Sequence, residues 1–147
     1  MRLDILGELD SAHALTATAY STNTIDLNNV TPKRDLGAGE PLEVVVTVDV
    51  AADHDDSDET YVLDFIQSAN ANLSSEDILV SMTVAYSDLT AGAKIHIPIP
   101  QGRITKRYIG MKYVLGGTTP TVTLTAHVIP RSFAEQNQAY AKNFTVS

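Results

Sequence analysis

The sequence predicts an all-β protein: a two-sheet antiparallel sandwich, of the jelly-roll type, with about eight strands. Segments of alternating apolar and polar residues recur along most of the chain, turn residues separate them, and no long helical pattern interrupts them. At 147 residues the chain is expected to form a single domain, 1–147. Its ends, 1–12 and 131–147, lack a strong period and are expected to be flexible arms, with a short helix around 133–141 as the alternative for the second.

The first third of the chain is predicted to contain extended segments, one loop and one strand of regular alternation. Extended segments are predicted at 13–19 and 24–27, and the Pro- and Gly-containing stretch 28–40 is predicted to be a loop. Residues 42–50 follow, with alternate positions from Leu42 to Val50 sharing one face at the period of two that a half-buried strand requires.

Five further strands are predicted, at 60–69, 78–86, 94–99, 107–115 and 121–129. In 78–86 the alternation assigns Ile78 and Tyr86 to the apolar face and Leu79 to the opposite one. Pro98 cannot donate a hydrogen bond to a neighbouring strand, so 94–99 is predicted to be an edge strand or a strand end. Tyr113 is expected in the core.

Composition excludes several classes of function. Ten Lys and Arg face eighteen Asp and Glu, and a net charge of −8 has the wrong sign for binding nucleic acid. The longest apolar runs are far shorter than the roughly 20 residues of a membrane span, so no membrane partner is expected. The lack of cysteine excludes disulfides, thiolate metal sites and cysteine nucleophiles.

The acidic run between two predicted strands, 53–59, has two interpretations. Asp53 and Asp55 resemble the opening of a calcium-binding loop. The sixth position is Asp58, where such a loop needs glycine, and the twelfth is Asp64, which lies within a predicted strand. A solvated loop tip is therefore the favoured interpretation, and calcium binding is the alternative.

The sequence offers no recognisable catalytic or cofactor site, and we expect neither enzymatic activity nor a cofactor. No Gly-x-Ser-x-Gly turn or phosphate-binding loop is present. A cupin-type metal enzyme would need imidazoles grouped on one site, and the four histidines are scattered and expected at the surface. They are His13, His54, His96 and His127.

One basic cluster stands out in this acidic chain, and it consists of Arg103, Lys106, Arg107 and Lys112. These residues are either ordinary solvated side chains at the start of a strand or a contact with an acidic protein partner.

Three segments, taken in order, resemble the capsid cement proteins of tailed bacteriophages, in particular the small jelly-roll family typified by the Bordetella phage cement protein. They are 10–27 (DSAHALTATAYSTNTIDL), 35–49 (DLGAGEPLEVVVTVD) and 108–130 (YIGMKYVLGGTTPTVTLTAHVIP). The similarity is one of framework and includes no chemical motif. The stretch 51–75 matches less well.

The resemblance implies a virion structural protein that binds the outer surface of an HK97-like capsid and stabilises it non-covalently. Its expected partners are the major capsid protein and further copies of itself, as a dimer or a trimer. Exposed strand edges, the loop 28–40 and the terminal segments are expected to make the contacts, with Arg34, Asp35 and the basic cluster as candidate residues. The alternative is a carbohydrate- or receptor-binding β-sandwich of a phage fibre or adhesin.

Overall fold

The computed structural model describes residues 7–27, 41–100 and 102–131. These residues form nine strands and one short 3-10 turn at Tyr86–Asp88. The strands are β1 (Glu8–Leu15), β2 (Ala19–Tyr20), β3 (Ile25–Asp26), β4 (Leu42–Val50), β5 (Thr60–Ser68), β6 (Asp77–Val84), β7 (Lys94–Pro98), β8 (Tyr108–Gly116) and β9 (Val122–Pro130). No helix in this part of the chain has the length and apolar character needed to cross a membrane.

The strands form two antiparallel sheets packed as a sandwich. The first sheet has the order β1-β9-β4-β7, and the second has the order β2-β8-β5-β6, with β3 also pairing with β8. Because β2 and β3 both pair with β8, at different positions along it, they fill one strand position between them. The sandwich then has four positions in each sheet, and its first and last strands are neighbours, as in a jelly roll. The predicted fold class is confirmed.

The core lies between the two sheets and is built by the alternation that the sequence displays. On β4, Val44, Val46 and Val48 are almost completely buried. The second sheet contributes its bulkiest side chains, among them Tyr61, Phe65 and Tyr113, from β5 and β8. Burial of such side chains supplies most of the favourable free energy of folding. The core prediction for Tyr113 is therefore confirmed.

The first strand is the main error in the predicted elements, because β1 spans Glu8–Leu15 and not 13–19. Register shifts occur on both sides of Asp10, and Ala12 has a φ of 47°. These bulges place Leu9 and Asp10 together in the interior, so no period of two marks the strand. Residues 8–12 are strand and not arm. The rest of the predicted arms, 1–6 and 132–147, and the predicted loop 28–40 lie outside the described residues.

A second error concerns the faces of β6. The pairing with β5 shifts between Phe65 and Ile66, so that β6 carries one extra residue, Leu79. The bulge reverses the alternation at the N-terminal end of β6, where Leu79 is buried and Ile78 is half exposed. The prediction that Ile78 and Tyr86 share the apolar face was wrong, and both side chains are among the exposed large apolar residues. Ile78 is turned outwards by the bulge, whereas Tyr86 lies beyond the end of β6, in the 3-10 turn.

Candidate interaction surfaces

The structure brings the basic cluster to one region, in and beside the loop between β7 and β8, residues 99–107. Arg103, Lys106 and Arg107 lie in that loop, and Lys112 lies on β8. Arg34 and Asp35, the other two candidate contact residues, lie outside the described residues.

Three of these four bases are already paired with carboxylates of the same chain. Lys106 Nζ lies 2.8 Å from Asp77 Oδ2, and Lys112 Nζ lies 2.5 Å from Glu76 Oε1. Arg107 donates to both carboxylate oxygens of Asp26 at 2.8 Å, and its guanidinium lies over the ring of Tyr108. Exposed ion pairs contribute little to stability, but they cancel much of the positive charge that the sequence alone suggests.

Arg103 is the member of the cluster whose charge has no carboxylate partner among the described residues. It is exposed, and its Nη1 donates to the Leu79 carbonyl at 3.3 Å. The guanidinium therefore lies against the bulge of β6, at the edge of the second sheet.

A buried glutamine fixes the path of the β7–β8 loop. Gln67 on β5 is 4% exposed, and its Oε1 accepts hydrogen bonds from the backbone N–H groups of Thr105 at 2.8 Å and Lys106 at 3.1 Å. A buried amide oxygen with two donors holds these groups in one arrangement. This role could not be predicted from the sequence, because Gln67 and Thr105 are 38 residues apart.

The outer face of the second sheet carries a polar cluster around Lys112. Glu76 accepts hydrogen bonds from Lys112 and, at 2.9 Å, from the hydroxyl of Tyr20. The hydrogen bond from Lys112 is the largest of the causes that lower the pKa of Glu76 to about 2. The same contact raises the pKa of Lys112, and the hydrogen bond to Glu76 raises that of Tyr20.

The loop between β5 and β6, residues 69–76, closes over this outer face. Leu73 is fully buried there, and Gly110 on β8 provides the space, because a Cβ at Gly110 would lie 2.6 Å from Leu73 Cδ1. The loop is held at Ser68, whose hydroxyl donates to the Ser74 carbonyl at 2.6 Å. The second sheet is therefore covered on both faces over part of its length.

A fully buried carboxylate joins the two sheets where β1 leads into β2. Asp10 Oδ1 accepts from the Thr22 N–H at 2.8 Å and lies 2.9 Å from His13 Nδ1, and Oδ2 accepts from the Tyr113 hydroxyl at 2.5 Å. Burial, followed by the charge of Asp10 and its hydrogen bond, raises the pKa of Tyr113 well above its ordinary value. This network is structural, since donors within the fold occupy both carboxylate oxygens.

Side chains of the acidic loop 51–59 cap backbone groups. Asp58 accepts from the N–H of Thr118 at 2.9 Å and from its hydroxyl at 3.0 Å, and these bonds lower the pKa of Asp58. Glu59 Oε1 accepts from the Asp56 N–H at 3.0 Å. The described residues contain no group of three or more His, Asp or Glu side chains that could hold a metal ion.

Each of the four histidines lies beside a carboxylate. For His96 and His127 the partner is distant along the chain, so the sequence could not indicate it. His96 lies 2.6 Å from Glu43, and His127, which is 6% exposed, lies 3.4 Å from Glu8. His54 lies 3.2 Å from Glu59 and stacks on the ring of Tyr86 at 3.7 Å. The prediction that all four histidines lie at the surface was wrong for His127, because β9 is an interior strand of its sheet.

Comparison with known proteins identifies the family. The Bbp16 family matches residues 9–128, from the second residue of β1 to two residues before the end of β9. No curated protein matches the chain. Among solved structures, one described as "Crystal structure of PirA" matches 86% of this chain and 100% of its own, with 11% identity and a TM-score of 0.42. Since the family match spans most of the jelly roll, the chain belongs to the Bbp16 family, whose name indicates a bacteriophage protein.

Proposed function

We propose that this protein is a capsid cement protein, which binds the outer surface of an HK97-like phage capsid and stabilises the shell non-covalently, without catalysing a reaction. The observation that carries the proposal is the match to a phage protein family over residues 9–128. The proposed partner is the major capsid protein, and the proposed location is the exterior of the virion.

The chemistry of the described residues supports a structural role. In the acidic loop, Asp53, Asp58 and Glu59 accept hydrogen bonds from backbone N–H groups of the same chain. Three of the four bases in the basic cluster form ion pairs within the chain. A cement protein needs a rigid body of this kind, because it is bound by many modest contacts repeated over symmetry-related copies.

Binding to capsids tests the proposal. Heads of the encoding phage are assembled without this protein, in precursor and expanded forms, and are mixed with the purified chain. We expect it to co-sediment with expanded heads at a saturating copy number and to raise the temperature at which they release DNA. Absence of co-sedimentation would overturn the proposal, and binding to a glycan array instead would favour the receptor-binding alternative.

The contact residues are tested on the same heads. We propose that the loop 28–40, through Arg34 and Asp35, and the two terminal segments reach the capsid. Arg34→Glu should lower occupancy, and Lys94→Glu, which makes the same charge change at an exposed position of β7, should not. Deletion of 1–6 or of 132–147 should also lower occupancy. The N-terminal deletion must stop before Leu9, which is a fully buried core residue.

A further inference from the structure

The four sheet edges of the sandwich differ in how well they are protected against pairing with another strand. In the first sheet, β1 is bulged around Asp10, and β7 is short and contains Lys94 and Pro98. In the second sheet, β2 and β3 are interrupted fragments of two residues each. Bulges, short strands, lysine and proline are the devices by which proteins keep strand edges from joining other chains.

The edge at β6 lacks these devices beyond its bulge at Leu79. From Val80 to Val84 the strand pairs regularly with β5, and this stretch contains no charge and no proline. On its other side, these residues make no backbone hydrogen bond with the described part of the chain. The uncharged stretch is longer still: residues 78–86 read ILVSMTVAY in a chain whose net charge is −8. An edge of this kind is a template for an added strand.

We propose that β6 pairs with β6 of a second copy of this chain, antiparallel about a two-fold axis near Met82, and joins the two second sheets into one continuous sheet. In this register Val80 faces the partner's Val84, and Ser81 faces the partner's Thr83. The contact is self-complementary, as a two-fold interface must be. It requires no capsid, so it stands or falls independently of the proposed function.

The partial burial of side chains on and beside β6 supports a second copy of this chain as the partner at this edge. Val80 and Met82 pack against the core but remain only partly buried, so an added strand would cover them further. Among the described residues three large apolar side chains are exposed, and two of them, Ile78 and Tyr86, flank the regular part of β6 at 50% and 44% exposure. In the antiparallel pairing, the end of β6 that carries Ile78 in one copy lies beside the end of the partner's β6 that leads to Tyr86.

The charges at the two ends of β6 are complementary. Arg103 lies at the Leu79 end, where its guanidinium contacts the Leu79 carbonyl. At the other end, Asp88 is the last residue of the 3-10 turn that follows β6, and the stacking of His54 on Tyr86 brings the acidic loop 51–59 alongside. Two-fold pairing therefore places Arg103 of each copy near the acidic end of the other, in two symmetric contacts.

Sedimentation velocity on the purified full chain, over a range of concentrations, tests this inference. We expect a monomer–dimer equilibrium for the natural sequence and a dimer Kd raised roughly tenfold or more by Ser81→Lys/Thr83→Lys, because lysines then face each other twice across the axis. The matched control is Thr16→Lys/Thr22→Lys, which makes the same charge change at exposed positions near β2, on the opposite edge. Both variants reduce the net negative charge, so a loss of dimer in the β6 variant alone cannot come from general repulsion.

Cysteine cross-linking tests the register and does not depend on the folding of the lysine variant. The chain contains no cysteine, so single variants carry one thiol each. An equimolar mixture of Ser81→Cys and Thr83→Cys should form disulfide-linked dimers faster than either variant alone, since directly opposed Cβ atoms on paired strands lie about 4.5–5.5 Å apart. The inference would be overturned if the natural chain stays monomeric at all concentrations. It would also be overturned if a dimer forms but its Kd is unchanged in the β6 lysine variant and the mixed cysteine variants do not cross-link preferentially.

Discussion

The buried carboxylate of Asp10 gives the sharpest stability prediction. Tyr113→Phe removes the hydroxyl that donates to Asp10 Oδ2, and a hydrogen bond to a charged group contributes about 1.5–3 kcal/mol. Asp10→Ala removes the acceptor and leaves the Tyr113 hydroxyl and the Thr22 N–H without a partner, which should cost about 3–5 kcal/mol. The double variant removes both members of the pair, so its loss should fall short of the sum by about 1–2 kcal/mol.

Equilibrium urea unfolding at neutral pH, followed by circular dichroism, measures all four corners of this cycle. The slope with urea should be unchanged, because the same surface is exposed on unfolding. Tyr108→Phe is the control, since its hydroxyl makes no hydrogen bond within the described residues, and it should change the free energy of unfolding by no more than about 0.5 kcal/mol. Additive losses in the double variant would refute the assigned hydrogen bond between Asp10 and Tyr113.

Two further predictions concern the outer face of the second sheet. Leu73→Ala should lower the free energy of unfolding by about 2–5 kcal/mol, and Gly110→Ala should lower it by about 1–3 kcal/mol. The loss in the double variant should be smaller than the sum of the two single losses. Urea midpoints that do not move would contradict the packing of Leu73 against Gly110. The pKa of Glu76 is lowered from 4.5 to about 2 in the folded protein, so its ionised carboxylate stabilises the fold above about pH 4.5. This stabilisation is lost as the pH falls from 4.5 towards 2. After allowance for solvent screening the effect should be about 1–2 kcal/mol. Urea midpoints of Glu76→Gln should therefore approach those of the natural chain at low pH, and a constant gap across this window would contradict the prediction.

The elements that the sequence predicted well are those whose alternation runs through most of the strand. The strand 42–50 has the predicted bounds, and the strand predicted at 121–129 lies within one residue at each end of β9. Alternation failed where a bulge occurs, because one extra residue reverses every face beyond it. Such bulges lie at Ala12 in β1, at Leu79 in β6 and between Val48 and Val50 in β4, where Val50 is exposed although it was predicted on the apolar face. A bulge depends on the pairing partner, so a single strand read alone does not reveal it.

The candidate surfaces were less predictable than the strands for a related reason. The basic cluster is visible in the sequence because its members lie close together along the chain. Its carboxylate partners are not visible, since Asp26 meets Arg107 across 81 residues and Glu76 meets Lys112 across 36. Charge counted along a segment therefore overestimates the charge that the folded surface presents.

The contact between the loop 51–59 and the β8–β9 turn allows a last prediction. Gly117 has a φ of +89°, and a Cβ there would run into the Asp58 carbonyl, so Gly117→Ala should suffer both backbone strain and a steric clash, about 3 kcal/mol together. Gly92→Ala provides the matched control, because Gly92 has a φ of +85° but nothing within 4 Å of the added Cβ, and it should lose only about 1 kcal/mol. Urea unfolding of both variants measures the difference. Equal losses would mean that Asp58 does not lie against the turn, and the hydrogen bonds from Thr118 to its carboxylate would then have to be discarded as well.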